Sequence, residues 1–75
     1  MKKSAQQQIL KRLGERVVKL RSKRGWTQDQ LSKQTGLHRN YIGYVERGEV
    51  NAGLVNACQI AEAFELTVSQ FLKGI

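Results

Sequence analysis

TQDQLSKQTGLHRNYIGYVERG, residues Thr27–Gly48, is the stretch from which the fold follows. Thr27 is a good helix N-cap, and Asp29 falls in the first turn behind it, where the helix dipole favours negative charge. Leu31 anchors the short helix that this opens, expected at about residues 28–34. Thr35-Gly36-Leu37 breaks it, and Gly36 is free to take the left-handed conformation that a steep crossing of two helices needs. A second helix is expected at about 38–47, with Leu37, Ile42 and Val45 turned to the core and Gly48 ending it. Its outer face then shows Arg39, Asn40, Gly43, Tyr44 and Arg47, which offer donors, acceptors and one aromatic ring but no acid. Such a face suits phosphates and base edges, since Arg pairs with guanine O6/N7 and Asn with adenine N6/N7.

Working outward on the N-terminal side, Ile9, Leu10, Leu13, Val17 and Leu20 recur at three-to-four-residue spacing. That spacing predicts an amphipathic helix, with Lys11, Arg12, Arg16, Lys19 and Lys23 largely on its other faces. Gly14 sits inside it at a cost of ~1 kcal/mol relative to Ala, and Gly25 is the stop signal. Residues 1–7, MKKSAQQ, have no apolar periodicity and are expected to fray. The expected organisation is a flexible basic N-terminus over 1–8 and one domain over 9–75. On the C-terminal side Asn51 is the candidate cap of a helix over about 52–64, carrying Leu54, Ala57, Cys58, Ile60, Ala61 and Phe64. Thr67 caps a last helix holding Val68, Phe71 and Leu72. No segment alternates with the period of a strand, so the expected class is all-α, five short helices around one core.

The 75 residues suffice for one modest core. A domain this short buries only about 60% of its unfolded surface. One cysteine forbids an internal disulfide, and His38 is the only histidine, so no metal site and no cofactor are expected. No nucleophile–base set and no phosphate-cradling loop is present, so no catalytic residue, no enzyme and no small-molecule ligand are expected. There is no membrane-spanning apolar run and no signal-peptide pattern, which suits a reduced cytoplasm. The net charge of +7 is unevenly spread: residues 1–48 hold 12 Lys/Arg against three acids, and residues 49–75 hold one Lys against three. A basic N-terminal two-thirds favours nucleic acid or an anionic membrane. The apolar face of the first helix is needed for the core, which disfavours the membrane.

Several short motifs at fixed spacing carry a further signal: Leu20-Arg21, Gly25-Trp26-Thr27-Gln28, Thr35-Gly36-Leu37, Tyr41-Ile42 and Glu46-Arg47-Gly48. Asn51, Ile60-Ala61, Ala63-Phe64 and the Val68–Leu72 segment fit the same pattern. Together they resemble the phage-repressor/Cro-like, or Xre-like, helix-turn-helix family over about residues 9–73. The resemblance implies a lambda-repressor-like fold and assigns roles. Arg39, Asn40 and Tyr44 match base-reading positions, while Thr27, Gln28, Lys33, His38, Tyr41, Arg47 and Asn51 match contacts to double-stranded DNA phosphates. Gln28 also matches a brace for the recognition helix, and Arg21 with Glu46 matches a buried or half-buried ion pair between the first and third helices. Ser32 stands where the family usually has Ala, and its hydroxyl is expected to bond back to the Gln28 carbonyl. Within the family, LHRNYIGYVERGEVN is similar to controller proteins of restriction–modification systems, which often have Thr at the place of Asn40 and a basic residue at that of Val50.

One recognition helix spans only a few base pairs, and proteins of this type bind as two-fold dimers on half-sites ~34–36 Å apart. The apolar, less basic C-terminal part is the expected homodimer interface, through Phe64, Leu66, Val68, Phe71 and Leu72. Phe71, Leu72 and Ile75 are equally suited to finishing the monomer core. Cys58 and Trp26 are expected in the core, and Lys2, Lys3, Lys11 and Arg12 are open between DNA contact and a solvated face. The expected function is a sequence-specific transcriptional regulator of prokaryotic or phage origin, acting in the cytoplasm at the nucleoid on a pseudo-palindromic operator. The alternative is an antitoxin or adaptor that also binds a partner protein.

Overall fold

Five helices follow one another with short connections in the computed structural model, which describes residues 1–75: α1 Lys3–Lys23, α2 Gln28–Thr35, α3 Arg39–Glu46, α4 Leu54–Ala63 and α5 Val68–Phe71. The caps that define α2 and α5 are local. The Thr27 hydroxyl accepts from the Gln30 N–H at 3.1 Å while the Gln30 side-chain oxygen accepts from the Thr27 N–H at 2.8 Å. Thr67 and Gln70 repeat the reciprocal pair at 3.0 and 2.9 Å. Each box satisfies two backbone donors that a bare helix start leaves open. Gly36 ends α2 with φ +76°, the left-handed conformation a side chain would oppose. The turn it makes is pinned by Thr35, whose buried hydroxyl donates to the Leu31 carbonyl at 2.9 Å and accepts the Leu37 N–H at 3.1 Å. The Ser32 hydroxyl donates to the Leu37 carbonyl, not to that of Gln28. It fastens α2 to the turn toward α3.

Every helix contributes to one core: Leu13 and Val17 from α1, Leu31 from α2, Ile42 and Val45 from α3, and Ala57, Ile60 and Ala61 from α4, with Phe71 from α5 and Phe64 just beyond α4. Trp26 stacks on Phe64 with ring centroids 5.7 Å apart. Two arginines close helix ends against α1. Arg16 donates to the carbonyls of Phe71 and Gln70 at 3.0 and 2.9 Å, and Arg24 donates to the Phe64 carbonyl at 2.8 Å. Cations at helix C-termini satisfy orphan carbonyls and complement the dipole.

Further expectations need correction. The segment expected to fray is helical from Lys3. A helix already nucleated by the apolar stripe extends backward by one hydrogen bond per residue through Ser, Ala and Gln, at little cost. Asn51 does not cap α4. The chain stays extended until Gly53, the N-cap, because Val50 and Ala52 pack against the core before the helix begins. Phe64 and Phe71, expected on a dimer face, are sealed in the monomer at 2% and 0% exposure. They fill the space between α1, α4 and α5, so no area is left on them for a second chain.

Gly14 is where α1 meets α3 most closely. A Cβ there would lie 2.4 Å from the Glu46 carbonyl oxygen and 2.6 Å from that of Val45. Both are backbone atoms, which cannot rotate away. At an exposed helical site Gly→Ala gains ~1 kcal/mol, but overpacking of this kind costs ~1–3 kcal/mol. Gly14→Ala is therefore expected to destabilise the fold, with Tm lower by about 5–10 °C. A thermal melt by circular dichroism checks this, and a raised Tm would contradict the close approach.

Candidate nucleic-acid interface

The two faces of α3 have opposite tasks. Ile42 and Val45 point inward and are fully buried, while Arg39, Asn40, Tyr44 and the following Arg47 are exposed. Arg39, Asn40 and Tyr44 make no side-chain hydrogen bond within the chain beyond the aromatic contact of Tyr44. They line, with Gln28, Gly43 and Arg47, a shallow open groove of about 270 Å³. Gly43, expected on the outer face, is buried. Its missing side chain lets Arg47 fold back, so that a Cβ at Gly43 would meet Arg47 Nη1 at 3.1 Å. Arg47 in turn lies over the Tyr44 ring at 5.2 Å and donates to Glu49 at 3.0 Å. Both contacts are solvent-exposed and weak enough to yield to a phosphate.

What holds α3 in place is a carboxylate. Glu46, at the last turn of α3, is 4% exposed. Its Oε2 accepts from Arg21 Nε at 2.6 Å, and its Oε1 accepts from Arg21 Nη2 at 3.1 Å and from Gln28 Nε2 at 2.8 Å. Arg21 spends a further donor on the Trp26 carbonyl at 2.8 Å. The planar guanidinium grips the carboxylate with two parallel bonds, which fixes direction as well as distance. One acid on α3 is thereby tied to α1 and to the first residue of α2. Gln28 keeps one amide hydrogen and its backbone N–H, at the start of α2, without an acceptor in the chain.

The other residues expected at phosphates are spread around α3. His38 is the N-cap of α3, and its Nδ1 accepts from the Asn40 N–H at 3.0 Å. That bond places the neutral ring's proton on Nε2, which is free to donate outward. Tyr41 is half-buried, and its hydroxyl oxygen accepts from Asn56 Nδ2 at 3.0 Å, which leaves its own proton available. Thr27, Lys33 and Asn51 are exposed. Among the residues expected at a dimer face, Leu66 and Val68 are half-buried against the core and Leu72 is 38% exposed. More exposed apolar side chains stand at the start of α4, where Leu54 and Val55 are more than 70% exposed. Cys58 on the same helix is half-buried, not sealed in the core.

Sequence reasoning did not find Arg16, Arg24 or Asn56. Their partners lie 55, 40 and 15 residues away along the chain, and no local spacing marks such pairs.

Residues 17–71 match the model of the helix-turn-helix family HTH_3, a span that holds the Glu46 network, both helices of the turn and every core residue but Leu13. The chain belongs to this family. Control protein C.SmaI of Serratia marcescens is 40% identical over 60 residues, which cover 80% of this chain and 71% of that protein. The crystal structure of the restriction-modification controller protein C.AhdI from Aeromonas hydrophila superposes with a TM-score of 0.79 at 37% identity, covering 83% of this chain and 94% of that one. The hypothetical transcription factor NHTF from Neisseria superposes with a TM-score of 0.81 at 33% identity, covering 89% and 77%. This helix-turn-helix protein is a DNA-binding transcriptional regulator and not an enzyme. None of its helices is long and apolar enough to cross a membrane.

Removing the Glu46 carboxylate strands the Arg21 guanidinium and the Gln28 amide. Loss of one partner of a buried pair costs ~3–5 kcal/mol, and Arg21, with 18% of its side chain still exposed, draws this toward the lower end. Glu46→Ala is expected to lose about 3 kcal/mol in urea unfolding, and Glu46→Gln distinctly less. A loss below about 1 kcal/mol for the Ala variant would show that the network does not hold the helices together.

Proposed function

We propose that this regulator is the controller protein of a restriction–modification system and binds a pseudo-palindromic operator as a homodimer, with α3 in the major groove. The observation that carries the reading is the face of α3. Arg39, Asn40 and Tyr44 project beside one another into solvent, with no partner holding the two polar chains, while the opposite side of the helix is locked to the core and to Arg21 and Gln28. Arg39 pairs with a guanine edge and Asn40 with an adenine edge. Phosphate oxygens on either side are met by Thr27, Gln28 and Lys33 of α2, by His38 and Tyr41 of α3, and by Arg47 and Asn51 of the loop that follows. The N–H groups at the start of α2 add the favourable end of its dipole. The similarity to C.SmaI and C.AhdI, the latter covered over 94% of its length, supports the controller role. On this reading the protein works in the cytoplasm, and the genes beside its own encode a methyltransferase and an endonuclease.

A single α3 spans too few base pairs to select one site, and two copies related by a two-fold axis double the sequence read. With Phe64 and Phe71 committed to the monomer core, the dimer face is centred on Leu54 and Val55 at the start of α4. They are the most exposed large apolar side chains after Met1. Burying them supplies the apolar term of the association.

Fluorescence-anisotropy titration of a symmetric operator duplex tests both parts. Two protomers are expected per duplex. Arg39→Ala is expected to reduce discrimination against a changed base pair by ~1–3 kcal/mol at one position of each half-site. An equal loss of affinity for every sequence would overturn direct reading by Arg39, and one protomer per duplex would overturn the dimer.

A further inference from the structure

Helix α1 reaches well beyond what the domain needs. It begins at Lys3, whereas the family match begins at residue 17. Residues Lys3–Ile9 are all exposed and add nothing to the core. Lys3 stands in the first turn, where a cation opposes the helix dipole, and no acid there offsets it. Neither Lys3 nor Lys11 takes part in any ion pair. The helical period places Lys3, Gln7, Lys11 and Gly14 on one stripe of α1. At Gly14 that stripe abuts the end of α3, and beside Lys11 it abuts the next loop, where a Cβ on Gly48 would lie 3.2 Å from the Lys11 Cα. One turn further out, Gln6, Ile9 and Leu10 share a small groove with Asn51. The stripe therefore runs from the last turn of α3, past the loop that carries Arg47 and Asn51, to Lys3.

We propose that Lys3 and Lys11 form a second, sequence-independent phosphate clamp that extends the DNA interface from the α3–α4 loop along the sugar–phosphate backbone, beyond the bases that α3 spans. The inference rests on α3 lying in the major groove. Phosphates are the fitting partner because the stripe continues directly from residues placed at the DNA backbone, and its exposed polar side chains, Lys3, Gln7 and Lys11, are two cations and one neutral donor with no acid among them. Lysines act as flexible point charges suited to phosphate oxygens and not to the two-point reading of a base. Eight residues of helix separate the two by about 12 Å, or roughly three to four base-pair steps at ~3.4 Å per step along one strand. Binding here adds affinity and lengthens the protected site without changing which bases are read.

The test compares the full-length protein with the Lys3→Ala/Lys11→Ala double variant on two duplexes, one with the operator in long flanks and one trimmed to the bases that α3 spans. Both positions are exposed, and a melting curve confirms that the fold is retained. On the long duplex the slope of log K against log salt is expected to fall in magnitude by about 1.8 per protomer, ~0.9 for each lost phosphate contact. On the trimmed duplex the two proteins are expected to coincide, and Lys3→Arg/Lys11→Arg is expected to keep the original slope on both. Equal slopes on the long duplex would overturn the clamp, as would an equal fall on both duplexes, which would put the contacts inside the α3 footprint. If the unaltered protein shows no operator preference at all, the controller reading fails. If it shows an Arg39-dependent preference while the lysine variant behaves as the parent, only the clamp fails.

Discussion

The Glu46 carboxylate is the constraint on which the reading head depends. It is buried, it carries charge, and it is held by Arg21 of α1 and Gln28 of α2 at the same time. A buried charge is tolerable only when its lone pairs are met, and the low dielectric around it makes the partners' geometry strict. Apolar packing of Leu31, Ile42 and Val45 brings α2 and α3 together but is non-directional. The ion pair supplies the direction that packing lacks. It fixes how far α3 is rotated about its axis, and so which side chains face outward.

A division of labour among the basic residues follows. Arg16, Arg21 and Arg24 are structural, capping α5, gripping Glu46 and closing α4. Arg39, Arg47 and Lys33 remain on the surface around α3. A net charge of +7 thus overstates the cations free for DNA at any one face, and their placement matters more than their sum. The acidic balance of residues 49–75 leaves the start of α4 less repulsive toward a second copy, where Leu54 and Val55 lie bare.

Much of α2, α3 and α5 was legible in the sequence because their signals are local. Thr27 and Thr67 cap within three residues, and Gly36 needs only its own backbone freedom. What was not legible depends on partners distant in sequence. Apolar periodicity cannot say whether Phe71 is covered by its own chain or by another, and only the three-dimensional packing puts it in the monomer core. Gly14 read as a helix defect because propensity counts the residue alone, while its use is the space it leaves for the backbone of α3. Gly43 and Asn51 were misplaced for the same reason: Arg47 folding back covers the one, and the burial of Val50 and Ala52 delays the helix past the other. For the interface, the faces of α3 followed from helical period, but the assignment of Arg39, Asn40 and Tyr44 to bases came from the pattern of motifs around them.

On the proposed reading, the locked α3 presents its outer face to the major groove in two symmetric copies. Dimethyl sulfate footprinting of the bound operator tests it most directly, since the reagent methylates guanine N7 in the major groove and adenine N3 in the minor groove. Protected guanines are expected in two half-sites whose centres lie one helical turn, ~34–36 Å, apart. Protection confined to adenine N3, with every guanine N7 still reactive in the saturated complex, would contradict it.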